Sequence, residues 1–267
     1  TGMNLFRKEL KTGLKPFLFW TLGLFMLIFA GIVKSSAAMT DGAFMTELIS
    51  KFPRIVVAAM GMANVDIAQF AGFYAVLMQY VFILAAVYGT HLGNNAVSRE
   101  SVDRTYEFLF TKPRSRSFIL SRKLLVALVF LTTFSALNFV FSIAAVQQLS
   151  IEWNDMGMFA VFSLAMWIVG IVFFTMAAMF SASFHSAERG AKAGNIAVLG
   201  AYAVAVVYDL LEKPGLLRLL SPFRFFLNTE LIDSSVNPFY AVLCAALCAV
   251  FLLVTFTRFE RRDLGVL

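Results

Sequence analysis

The sequence predicts an all-α, polytopic integral membrane protein with six transmembrane helices and both termini cytoplasmic. Three observations carry that expectation. The 267-residue chain is 60% hydrophobic and 14% charged, and its 30 Phe and 12 Met exceed what one globule of this size hides under polar cover. Asp, Glu, Lys and Arg are absent from six intervals, 16–33, 67–98, 124–151, 156–187, 193–208 and 234–257, and a spanning helix needs about 20 apolar residues. The basic residues, finally, are distributed unevenly between the two sides that six crossings define.

Taken in order, residues 1–15 are expected to form an amphipathic N-terminal helix, and the spans are expected at 16–33, 70–93, 124–147, 156–182, 193–209 and 237–257, all within one transmembrane domain over 1–267. Thr1 and Gly2 precede Met3, the expected native start, and the first apolar run lacks a small-residue cleavage site, so no cleavable signal peptide is expected. The fifth interval is short, but Lys192 reaches toward the headgroups and extends it. The third and fourth spans are parted only by Glu152 to Asp155, which implies a tight hairpin.

Arg7 to Lys15, Arg99 to Lys123, Arg189 and Lys192, and Arg258 to Arg262 stand on one side of the six crossings, and this basic majority marks the cytoplasm. The net charge of +6 is then a topology signal with attraction to anionic lipid, and no nucleic-acid partner is expected. The outer loops, 34–66 and 209–233, hold apolar stretches too short to span, with Pro53, Pro214 and Pro222 in them and Pro238 opening the last span. Short amphipathic or re-entrant helices at the outer surface are expected there, including a re-entrant hairpin before the last span.

Reactive chemistry is missing. The chain contains no His-Glu-x-x-His, Gly-x-Ser-x-Gly or P-loop motif and no zinc-spaced cysteines, so no catalytic residue, metal site or cofactor of its own is expected, and any ATP dependence comes from a partner. His91 and His185 read as interfacial, and Cys244 and Cys248, one turn apart, as apolar packing residues. The spans lack the buried carboxylates and lysines that ion-coupled carriers place near mid-membrane. Gln79, Asn138 and Thr175, with Asn195, are the neutral polar groups left, either bonding helices together or lining a substrate path. Gly89 with Gly93, and Gly190 with Gly194, have the spacing of close helix packing.

The stretch after the second span is the most informative. A helix N-capped by Ser98, ending before Pro113, puts Glu100, Asp103, Arg104 and Glu107 on a charged face and Val102, Tyr106, Leu109 and Phe110 on another. Such a helix is suited to lie under the membrane and press on a partner.

Glu100, Thr105, Glu107, Leu109, Pro113, Ser115, Arg116 and Lys123 resemble the signature that follows the second span in ABC-2-type transporter permeases. The ending Phe259 to Leu264 and the start Asn4 to Leu14 are similar to that family's tail and N-terminal helix. Two positions depart: Arg104 stands where a Gly usually precedes the Thr, and Arg114 where a small apolar residue follows the Pro.

The resemblance implies an exporter's permease subunit in a bacterial cell membrane, pairing with a second, identical or different, permease and resting on two copies of an ATP-binding cassette subunit, which holds the ATP and magnesium. It implies that 98–112 is the coupling helix, contacting the ATPase through Arg99, Glu100, Asp103, Arg104, Tyr106, Glu107 and Phe108, and that 183–192 is a second contact with Ser186, Glu188 and Arg189. Phe-rich spans suit either packing against acyl chains or a hydrophobic or amphipathic cargo such as a peptide, drug or lipid-like molecule. A membrane scaffold or sensor without transport function, and an ion-coupled carrier, are the alternative readings.

Overall fold

The computed structural model describes residues 2–40, 42–102, 115–149, 151, 155–211 and 215–261, and no strand occurs among them. Six helices of the described residues are long and apolar enough to cross a bilayer. They are α1 (Gly2–Thr40), α4 (Phe70–Val102), α5 (Arg116–Gln148), α6 (Met156–Ser183), α7 (Ala187–Leu210) and α10 (Pro238–Arg261). The shortest has 24 residues, about 36 Å at about 1.5 Å per residue, which exceeds a hydrocarbon core of about 30 Å. The short helices α2 (Gly42–Ser50) and α3 (Arg54–Ala59) follow α1, and α8 (Gly215–Arg218), a 3₁₀ turn (Pro222–Arg224) and α9 (Asn228–Ile232) separate α7 from α10.

Local chemistry starts three of the spans. Ser115 accepts from the Phe118 amide at 3.3 Å, Asp155 from the Met158 amide at 3.1 Å and Ser186 from the Arg189 amide at 3.1 Å, each satisfying an amide that the first helical turn leaves unpaired. Two helix boundaries differ from the sequence expectation. The N-terminal helix and first span are one continuous α1, because Pro16 has a helix-compatible φ and costs a single backbone bond. Ser98 caps nothing: α4 runs unbroken through it to Val102, and no Gly or Pro follows Gly93 in α4 to interrupt it. The rest of the expected coupling helix, 103–112, lies outside the described residues.

The bundle has two ends. At one, the start of α5 meets the end of α10, where Arg116 donates to the Glu260 carbonyl at 3.4 Å and Ser117 bonds its carboxylate. At the other lies a cap made of 42–69 and 215–237. The centre belongs to α4 and α6. Of the most apolar stretch of α4, 72% is buried inside the protein, against 17% for α10, whose other faces stay uncovered within the chain.

What brings α4 against α6 is the absence of side chains at two points. A Cβ on Gly89 would run into the Gly170 carbonyl, and one on Gly93 into the Phe174 carbonyl, so the two backbones touch. Aromatic rings fill the space beside this contact, with Tyr74 edge-on to Phe159 at 4.9 Å and to Phe162 at 5.4 Å. Buried hydroxyls and an amide tie α5 into the pair. Asn138 Nδ2 donates to Ser163 Oγ at 2.8 Å, Ser135 Oγ to the Ser163 carbonyl at 2.7 Å, and Tyr74 Oη and Ser142 Oγ share a hydrogen bond at 2.9 Å.

Gly93→Ala is expected to lower the melting temperature of the purified protein in detergent, since overpacking of this kind costs about 1–3 kcal/mol. Gly200→Ala, where an added Cβ meets nothing within 4 Å, is expected to leave the melt unchanged or to raise it by the helix-propensity gain of about 0.5–1 kcal/mol.

Candidate functional site

The cap does not lie flat on the bundle. Its 3₁₀ turn carries the sequence Pro222-Phe223-Arg224-Phe225-Phe226, and all three Phe are fully buried. The Phe223 ring meets Phe173, past the midpoint of α6 counted from the cap, at 5.0 Å between centroids. The segment therefore enters the bundle as a re-entrant plug. Ser221 pins it by donating to the Ala201 carbonyl of α7 at 2.7 Å, and Tyr202 of α7 bonds the Ala59 carbonyl at the end of α3.

Arg224 rides in with the phenylalanines and is 3% exposed. Its guanidinium donates through Nη2 to Asp209 Oδ2 near the end of α7, through Nη1 to Gln79 Oε1 of α4 at 3.1 Å, and through Nε toward the Ala205 carbonyl. Both partners of the pair are almost wholly removed from solvent, with side chains 4% and 6% exposed. A charge so placed is tolerated only because its counter-charge and acceptors are already in position.

A second arginine holds the plug from behind. Arg218 of α8 donates to both carboxylate oxygens of Glu230 at 2.8 and 2.9 Å, to the Arg224 carbonyl at 3.0 Å and to the Phe225 carbonyl at 3.1 Å. Its guanidinium also lies 4.0 Å from the centroid of the Tyr240 ring at the start of α10, which links the plug to the last span.

At the opposite end, Arg99 lies near the end of α4 beside Asn94, Asn95 and Ser98, and these residues line a cavity of about 450 Å³ with Pro16 of α1 and Glu188 of α7. Ser186 caps α7, and Glu188 is ion-paired to Lys192 at 2.6 Å on an exposed helix face. Arg99 and these α7 residues thus sit at one end of the bundle. Asp103, Arg104, Tyr106, Glu107 and Phe108 fall outside the described residues, as does the Glu100 side chain.

Of the path candidates, Gln79 is found on Arg224, Asn138 between α5 and α6, and Thr175 bonded to the Ile171 carbonyl of its own helix at 2.9 Å.

Residues 3–264, nearly the whole chain, match the family model described as "ABC-2 family transporter protein". The chain belongs to the ABC-2 transporter family. A comparison with curated proteins finds no match. As an ABC-2 family member with six apolar helices, the chain is a multi-pass membrane protein whose usual setting is the bacterial plasma membrane, and it is the membrane transport subunit of its system. Membership also implies association with an ATP-binding cassette subunit.

Two charged groups are nonetheless buried near the ends of spans, away from the mid-membrane positions that the expectation of no buried carboxylate or lysine concerns. Asp209 is buried against Arg224, and Lys123 near the start of α5 is 5% exposed. Charge-free spacing does not show this burial: Asp209 stands just past the interval 193–208, at the end of the expected span 193–209, and nothing in the sequence pairs it with Arg224. A signal was present: one Arg inside the aromatic run 223–226 has too little polar company for a solvated loop.

Arg224→Gln and Asp209→Asn each strand a buried charge, and each is expected to destabilise by about 3–5 kcal/mol. The apolar pair Arg224→Met with Asp209→Leu is expected to recover much of that loss, and denaturant unfolding of the single and paired variants in detergent checks it.

Proposed function

We propose that this chain is the permease subunit of an ATP-driven exporter that moves a hydrophobic or amphipathic cargo, such as a peptide, a drug or a lipid-like molecule, out of the cell. The observation that carries the reading is the family match over 3–264 on a chain with six apolar helices. Two permeases, identical or different, pair in the membrane above two ATP-binding subunits, and the nucleotide and magnesium are held there.

The mechanism is a mechanical relay. Nucleotide binding closes the ATP-binding subunits, which push on 98–112 and, secondarily, on Ser186, Glu188 and Arg189. A helix pushed at one end moves as a unit when its backbone bonds are intact, and α4 is unbroken from Val102 to Phe70. Its movement against α6 and α7 opens or closes a path at the seam between permeases. Export of an amphipathic cargo is supported by the apolar faces of α1, α7 and α10, which stay uncovered within the chain, with Phe19, Leu199 and Leu253 among their exposed residues. A cargo drawn from the bilayer can reach such faces laterally.

Reversing Glu107 to Lys is expected to lower co-purification of the ATP-binding subunit about tenfold or more, as for loss of a charge-assisted contact worth about 1.5–3 kcal/mol, with membrane insertion retained. Pull-down from membranes expressing both subunits measures it, and undiminished co-purification rejects the coupling assignment.

A further inference from the structure

Beside the plug lies a cavity of about 410 Å³ lined by Asn64, Tyr208, Asp209, Arg224, Asn228 and Thr229, among others. Its size falls within the range of about 300–1,000 Å³ usual for small-molecule sites. We propose that it binds a zwitterionic headgroup, one small group carrying both an ammonium and an anionic oxygen.

The buried pair dictates this chemistry. Asp209 engages Arg224 through Oδ2 alone, and each terminal nitrogen of Arg224 makes one bond, so Oδ1 and two guanidinium hydrogens remain for a guest. Both members of the pair line the cavity, so a carboxylate and a guanidinium stand within one wall. A guest with a single charge satisfies one of them and unbalances the pair, leaving a buried charge without compensation. A zwitterion adds one charge of each sign and keeps the site neutral. Asn64, Asn228 and Thr229 supply neutral donors and acceptors on the cavity wall for ester or carboxyl oxygens and for ammonium hydrogens. Gln79 adds one observation: its Nε2 is buried with no partner, although its Oε1 is held by Arg224. This amide, one hydrogen bond from Arg224, is therefore unsaturated.

Two sources share this chemistry, a phosphoethanolamine lipid headgroup and a free amino acid, and binding to either occurs without nucleotide. The purified full chain in nanodiscs of phosphatidylglycerol is titrated with glycerophosphoethanolamine, with alanine, with glycerol 3-phosphate and with ethanolamine, and intrinsic fluorescence or thermal shift is read.

A zwitterion is expected to bind at least about tenfold more tightly than either singly charged compound. Alanine matching glycerophosphoethanolamine assigns the site to amino acids, and alanine failing assigns it to the lipid headgroup. Asn64→Leu and Thr229→Val, which alter the cavity wall without touching the ion pair, are expected to weaken binding about tenfold with the ligand-free melt retained. Equal binding of a singly charged compound, retained affinity in both wall variants, or no zwitterion binding at all overturns the proposal. No ATP-binding subunit is present in this assay, so its failure leaves the export reading standing, and loss of that subunit's co-purification says nothing about the cavity.

Discussion

The contact between α4 and α6 is the constraint on which the rest of the bundle depends. In lipid there is no hydrophobic force to press one apolar helix on another, so association rests on dispersion and on hydrogen bonds across the interface. Both grow with proximity. Gly89 and Gly93 remove the side chains that would hold the Gly170 and Phe174 carbonyls away, and the close approach sets the positions of everything packed around it. Tyr74 then reaches Phe159 and Phe162, and the Asn138–Ser163 bond falls within range. A bundle held only at its rim, by α10 or α1, would leave these polar groups in hydrocarbon without partners.

The spans were legible for a physical reason: a charge cannot stay in hydrocarbon alone, so intervals free of charge mark helices directly. The glycine spacing at 89 and 93 was legible as well, because a close approach leaves no choice of residue. The helix limits were less so. Whether Pro16 splits α1 depends on one lost hydrogen bond against the continuity of the helix on either side, and sequence spacing does not weigh those against each other. Ser98 has the chemistry of a cap, yet a cap needs a non-helical backbone that nothing after Gly93 provides.

The plug was the least legible part, because its contacts join separate elements rather than neighbours on one helix. Arg224 finds Asp209 on another element and Gln79 some 145 positions away. The rule that uncovers spans is blind to this, since it counts charges as belonging to loops. The same rule, applied in three dimensions, explains why the pair exists: Ser221 and three buried Phe pull the turn into the bundle, and the arginine carried with them must meet a counter-charge there, which Asp209 of α7 supplies. Such a pair contributes little net stability relative to apolar packing, and the placement of the turn is the one in which Asp209, Gln79 and the Ala205 carbonyl receive its guanidinium.

That placement joins the two ends of the molecule. Gln79, on the cap half of α4, holds Arg224, and the same helix continues without a break to Val102 at the other end. Its 33 residues cover about 50 Å at about 1.5 Å per residue. Rigid helices transmit displacement and tilt with little loss, whereas a packed interface moves between discrete arrangements rather than deforming smoothly. On the proposed reading, a push near Val102 thus has two places to be absorbed. One is the glycine contact with α6, where the backbones have no side chains to compress, and the other is the Gln79–Arg224 bond, which is one hydrogen bond in a set of three. The second is the weaker, so tilting α4 strains the plug before it strains the core.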